Sequence, residues 1–142
     1  MTIAAILKSK GTEVLTVGGD TLVSEALGVL ADRKIGAVPV VKNGQVVGIM
    51  SERDIIYRLR SDGAAMLDWT VDRIMTAPAI TVTPDSEIMS ALALMTKRRI
   101  RHLPVVEGEA LIGLVSIGDL VKHRMDRIEA DAAAMLTYIQ SV

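Results

Sequence analysis

Cysteine is absent from this chain, and so is phenylalanine; one Trp and two Tyr are its only aromatic residues. No disulfide, cysteine nucleophile or thiolate metal site can form, and the composition fits a reducing compartment. So few rings give little for bases to stack on, and a net charge of −1 offers no basic surface. Nucleic acid and anionic membranes are therefore not expected as partners. Apolar runs such as Val38–Val41 and Val46–Met50 have strand length and fall far short of a membrane span. The first residues lack the basic region and long apolar stretch of a secretion signal. A soluble, cytoplasmic protein is expected. There is no Walker loop, no Gly-x-Ser-x-Gly elbow and no His pair at metal spacing. Neither a catalytic residue nor a metal site is assigned, and no enzymatic activity is expected.

Half of the residues are apolar and 23% are charged, which predicts a well-buried core built from Val, Ile, Leu, Met and Ala. The eight methionines read as adaptable core filling. At 142 residues the chain is one ordinary domain or two half-size lobes.

Repetition decides between these. A gapless shift of 65 positions lays Val14–Ile56 onto Ala79–Val121 with 13 identities in 43 positions. They include Thr16/Thr81, Asp20/Asp85, the Pro-Val-Val runs at Pro39 and Pro104, Gly48/Gly113, Ser51/Ser116 and Asp54/Asp119. Two copies are too few for a solenoid and predict two lobes across a pseudo-two-fold axis.

Each copy reads β-α-β-β-α. Short strands open at Leu15–Val17 and Ile80–Val82, followed by Asp20 and Asp85 as expected helix N-caps. Apolar residues then recur at helical spacing: Val23, Ala26, Leu27, Leu30, and Ile88, Ala91, Leu92, Met95. Hairpins follow over Ala37–Val41 with Val46–Met50, and His102–Val106 with Leu111–Val115. Pro39 and Pro104 each lack a ladder donor, which places them near a strand start or an edge. A closing helix begins at Ser51-x-x-Asp54 and again at Ser116-x-x-Asp119. The result is an α+β fold. Ser61–Thr70 reads as the connection between lobes. Domains are expected at 4–62 and 71–128, with 129–142 continuing the last helix. There Val121, Met125, Ile128, Ala132, Met135 and Ile139 form a heptad stripe suited to packing across a dimer, or against the chain's own body.

Ser-x-x-Asp before an apolar run is an ordinary capping arrangement. The same helix start offers free N–H groups and partial positive charge to a phosphate, and its Asp is an acceptor able to bridge two vicinal hydroxyls. Both readings stand, since a cap and a ligand use different lone pairs. In the run Lys97-Arg-Arg-Ile-Arg-His102, residues 97–99 read as a solvated helix end whose cations offset the dipole. His123 reads as an exposed helix residue without a role.

In sum, Val71-Asp-Arg-Ile-Met-Thr76, Ile80-Thr-Val-Thr-Pro-Asp85, Ile100-Arg-His-Leu-Pro-Val-Val106 and Ile112-Gly-Leu-Val-Ser-x-x-Asp119 resemble a tandem cystathionine β-synthase (CBS) domain pair, or Bateman module. The first copy departs from this pattern, with Gly36-Ala37 in the place of Arg101-His102. The resemblance implies a regulatory homodimer that binds adenosine ligands in inter-repeat clefts and acts on a separate partner. It implies AMP, ADP or ATP as ligand, with NAD(H) an option and S-adenosylmethionine ranked behind them. Onto this sequence it carries ribose contacts at Asp54 and Asp119 and helix-start hydroxyls at Ser51 and Ser116. Phosphate contacts fall to Arg101 and His102, with Arg53 and Lys8 as weaker candidates. Val38, Met50, Leu103 and Val115 would sandwich the adenine, and Gly48 and Gly113 would let backbone approach the ring. Thr16, Gly36, Ala37, Pro39, Ile80 and Pro104 complete the implied nucleotide-binding set. The alternative is an assembly module with vestigial sites.

Overall fold

A computed structural model describes residues 1–141; Val142, the last residue of the expected extension, lies outside them. The order is α1 (Ile3–Lys10), β1 (Val17–Gly18), α2 (Val23–Arg33), β2 (Ala37–Lys42), β3 (Gln45–Ser51), α3 (Glu52–Asp62), α4 (Ile88–Arg98), β4 (His102–Glu107), β5 (Ala110–Ser116) and α5 (Ile117–Ser141). Two 3-10 turns, Ala64–Asp68 and Val71–Arg73, separate α3 from α4.

The two hairpins are copies in register as well as in sequence. Ala37 pairs with Ser51 and Val40 with Gly48; His102 pairs with Ser116 and Val105 with Gly113, and each ladder shifts at the next residue. Both opening strands are shorter than expected. Val17 and Gly18 run parallel to Val40 and Val41, while in the second copy only Val82 pairs, with Val105. Pro104 gives its carbonyl to the Val82 N–H, so its nitrogen lies on that same side, where pairing has already stopped. Proline therefore costs the ladder nothing there.

Helices α2 and α4 bury the expected stripe through Val23, Ala26, Leu30 and Ile88, Ala91, Met95, whereas Leu27 stays 37% exposed. Asp20 and Asp85 are not their N-caps. Leu22 and Glu87 hold those positions without a side-chain cap. The orphan amides go instead to distant backbone: Val23 N–H donates to the Trp69 carbonyl and Ile88 N–H to that of Met1, at 2.8 and 3.1 Å. Asp85 accepts from the Thr83 hydroxyl within its own turn.

Those long-range bonds mark an exchange. Helix α1 does not pack on the repeat that follows it. Ile3, Ile6 and Leu7 enter the second core, with Ile88, Met95, Leu103, Val115 and Leu120. In return Met66, Val71 and Ile74 complete the first core, with Val23, Leu30, Val38, Met50 and Ile55. The segment read as a connector is thus partly core, and Met66 is fully buried. Thr76 then pairs with Ile49 through reciprocal backbone bonds of 2.9 and 3.0 Å.

The repeated glycines serve this crossing, not a ligand ring. A Cβ on Gly48 would stand 2.7 Å from Met75 Sδ and 2.9 Å from the Thr76 carbonyl oxygen; one on Gly113 would meet only Leu7 side-chain atoms, the nearest at 2.6 Å. Gly48→Ala should therefore destabilise the fold by about 1–3 kcal/mol through overpacking, and more than Gly113→Ala, because backbone yields less readily than a leucine tip. Thermal unfolding of the two variants checks the order; equal melting temperatures would remove the crossing strand as the reason for Gly48.

At the hairpin tips Gln45 Nε2 donates to Glu109 Oε2 at 2.9 Å, joining the two repeats. His123 is half-buried, its Nε2 3.4 Å from Met1 Sδ, and not on an open face.

Candidate functional site

A cleft of about 370 Å³ opens where the repeats face each other. Its floor comes from the β3–α3 junction with Ile49, Ser51, Arg53, Asp54 and Tyr57, and from Gly36-Ala37 at the start of β2. Thr76 and Ile80 supply one wall, and the α4–β4 corner, Arg98 to His102, the other. One repeat thus contributes an acid and a helix N-terminus, and the other a row of cations.

Ser51 is the N-cap of α3 and forms a capping box with Asp54. Asp54 Oδ2 accepts from Ser51 N–H at 2.9 Å and from its hydroxyl at 3.1 Å, while Oδ1 accepts from Thr76 Oγ1 at 3.0 Å. A carboxylate offers about four acceptor sites, so Asp54 keeps capacity for a further donor in the cleft. The capping reading is correct, and it leaves room for the other.

The cations are held by contacts between the repeats. Arg53 Nη1 donates to the Arg99 carbonyl at 2.7 Å, and Arg101 Nη2 pairs with Glu52 Oε1 at 3.0 Å. Arg99 closes α4 with φ of 54°, in the left-handed region, which turns the chain back toward the cleft. The His102 ring lies over Gly36, where a Cβ would come within 3.1 Å of its Cε1. Burial first, and then the Arg101 charge, hold His102 below the usual imidazole value of 6.5. As pH falls from 6.5 the unfolded chain takes up that proton first, so this group lowers stability on the acid side.

The pseudo-equivalent acid is differently engaged. Asp119 Oδ2 accepts from Ser116 N–H at 2.8 Å and from Lys10 Nζ at 2.6 Å. The same ammonium donates to the Leu114 carbonyl at 2.8 Å. Lys10 therefore does with one side chain what Thr76 does at Ile49 and Asp54 with backbone and hydroxyl. Burial would raise the Asp119 carboxyl, but the Lys10 and Ser116 hydrogen bonds outweigh it and hold it below its ordinary value.

Of the residues singled out from sequence, Gly36, Ala37, Ser51, Arg53, Asp54, Ile80, Arg101 and His102 line this one cleft. Ser116 lies instead in an adjoining recess with Lys34, Glu52, Arg101 and His102. Val38, Met50, Leu103 and Val115 cannot sandwich a ring, because each is fully buried in a core. Pro39 and Pro104 are buried in their strands, and Thr16 is exposed ahead of β1. Lys8 is an exposed residue of α1; Lys10 is the lysine that reaches a carboxylate. Arg98 and Arg99, read as solvated, line the cleft, and so do Thr76, Tyr57 and Ile49, which sequence reasoning missed. Among the described residues no cluster of three or more His, Asp or Glu could hold a metal, and no helix is long and apolar enough to cross a membrane.

The repeats match a known family. The CBS domain model fits residues 9–61 and again 71–126. A mitochondrial CBS domain-containing protein of Arabidopsis thaliana, CBSX3, is 35% identical over 98% of this chain and 72% of its own length. The Bacillus subtilis CBS domain-containing protein YhcV is 29% identical over 92% of this chain and 93% of its own length. Among solved structures, a CBS-domain protein from Agrobacterium tumefaciens superposes with a TM-score of 0.84 at 40% identity, covering 87% of this chain and 99% of the other. The CBS domain pair of protein MJ0100, in complex with 5-methylthioadenosine and S-adenosyl-L-methionine, gives 0.78 at 25% identity over 89% and 98% of the two chains. Doubled hairpins, exchanged core segments and two matches to one family have a single reading: this chain belongs to the CBS-domain family and carries a tandem CBS pair.

Proposed function

We propose that the inter-repeat cleft binds an adenosine ligand carrying phosphate, AMP, ADP or ATP, with NAD(H) as the extended option, and that the chain is a regulatory sensor rather than an enzyme. One observation carries this reading: Asp54 of the first repeat and Arg101 and His102 of the second border the same cleft. An acceptor suited to a ribose diol thus faces donors suited to phosphate. The MJ0100 pair, solved with two adenosine compounds, supports the ligand class. Four arginines around the cleft, Arg53, Arg98, Arg99 and Arg101, favour phosphate over the cationic sulfonium of S-adenosylmethionine, which ranks last.

The signal would travel through Arg101. A phosphate in the cleft competes with Glu52 for its guanidinium, so ligand binding exchanges a contact between the repeats for one to the ligand. Only such a difference in contacts lets a ligand shift the balance between two arrangements. We place the protein in the cytoplasm as a homodimer, passing the change to a separate partner protein. The exposed stripe on α5 favours a second reading, an assembly module with idle clefts. Calorimetric titration with AMP, ATP, NADH and S-adenosylmethionine separates the two. Heat is expected with the phosphorylated ligands, and none with any of the four would sink the sensor reading.

A further inference from the structure

Helix α5 is 25 residues long, about 37 Å at 1.5 Å per residue, and its own chain uses only the start. Leu120 is fully buried, but from Arg124 to Ser141 every residue is exposed. The stripe of Val121, Met125, Ile128, Met135 and Ile139 is 41–62% exposed, with the exposed Ala132 completing its 4-3-4-3-4 spacing. Most of a helix's stability in a protein comes from packing its apolar face, so such a stripe calls for a cover. The charges beside it say what the cover is.

Two in-helix ion pairs, Lys122–Asp126 at 3.1 Å and Arg127–Asp131 at 3.5 Å, occupy most of the charged residues. Among the described residues Arg124 and Glu129 have no ion-pair partner. With the stripe as the a and d positions, Arg124 is a g residue and Glu129 the e residue five positions later. In a parallel, in-register pair of helices, g of one chain meets that e of the other. Arg124 would then face Glu129 of a second copy, twice by symmetry. An antiparallel pair that overlaps the whole stripe sets Val121 against Ile139, Met125 against Met135 and Ile128 against Ala132. It also brings Glu129 opposite its own copy, and Asp131 likewise. The two orientations bury the same side chains and differ in the sign of the flanking charges.

We propose that α5 is the seam of a homodimer, and that a second copy of this chain packs on it as a parallel, in-register two-stranded coiled coil with reciprocal Arg124–Glu129 pairs. This rests on the homodimer reading above and adds orientation, register and the pairs that set them.

The absence of cysteine permits a direct test on the full chain. Met125→Cys and Met135→Cys are made as separate single variants and oxidised mildly with glutathione disulfide. In the parallel seam each variant forms a disulfide-linked dimer with itself, because every a position and every d position faces its own copy. Linkage of Met125→Cys to Met135→Cys in a mixture, with no self-linkage, would establish the antiparallel seam and overturn the proposal. Arg124→Glu and Glu129→Arg, both at exposed sites, should each weaken the dimer roughly tenfold at low salt in sedimentation equilibrium. The double variant should recover it. Wild-type protein that sediments as a monomer at micromolar concentration would overturn the homodimer reading itself. A dimer indifferent to both charge reversals would overturn only the seam.

Discussion

Asp54→Ala weakens every adenosine ligand, phosphorylated or not, roughly 10- to 150-fold if the carboxylate grips the ribose, since the acceptor position it keeps free would take one charge-assisted hydrogen bond worth about 1.5–3 kcal/mol. The same substitution removes one half of the α3 capping box and the Thr76 contact, for a fold cost of about 1 kcal/mol. A loss of affinity alone could therefore reflect a frayed helix start. Asp119→Ala resolves this, because it removes the pseudo-equivalent bond to Ser116 together with the Lys10 pair. Its thermal penalty should match or exceed that of Asp54→Ala, while the affinity of the Asp54 cleft changes by less than about threefold. Titration calorimetry with adenosine and AMP on both variants gives the answer. Unchanged affinity in Asp54→Ala would reduce Asp54 to a capping residue, and equal losses in the two variants would move the ligand toward Asp119.

What was legible in the sequence was local. The stripe through Val23, Ala26 and Leu30, both hairpins and the Ser-x-x-Asp helix start each declare themselves within a few residues. The exchange of α1 and Val71–Ile74 between cores did not, because nothing near Ile3 or Ile6 states which sheet they will cover. Gly48 and Gly113 registered as close-approach positions, but what approaches comes from a distant segment. Two further misreadings are errors of phase. Side chains alternate faces along a strand, so Val38 and Met50, a cross-strand pair, belong to the core, while their neighbours Ala37, Ile49 and Ser51 border the cleft. On a helix, two residues are about 200° apart, which sends Lys8 to solvent and Lys10 to Asp119. The asymmetry read at Gly36-Ala37 against Arg101-His102 is real, but it lies within one cleft: the gap left by the small pair is filled by the His102 ring of the other repeat.

That placement makes Arg101 the residue to vary for phosphate. Its side chain is 51% exposed and its Glu52 partner 54%, and ion pairs so open to solvent contribute little to folding. Arg101→Ala should leave thermal stability nearly unchanged, unlike Asp54→Ala, so a loss of binding can be read as a loss of contact. A guanidinium gripping phosphate through charge-assisted hydrogen bonds is worth about 1.5–3 kcal/mol, and AMP affinity should fall roughly 10- to 100-fold. Adenosine, with no phosphate to lose, should change by less than about twofold, and Arg101→Lys should rescue AMP only in part, because an ammonium lacks the planar fork. Raising the salt should narrow the gap between AMP and adenosine in the wild type and hardly alter it in the variant. Glu52→Ala gives the opposite sign: it frees Arg101 from its inter-repeat partner, so AMP should bind more tightly while adenosine does not. Equal losses for AMP and adenosine in Arg101→Ala would show that Arg101 shapes the cleft through Glu52 and does not touch phosphate. The charge further along the same wall, at Arg98 and Arg99, would then be the place where phosphate is held.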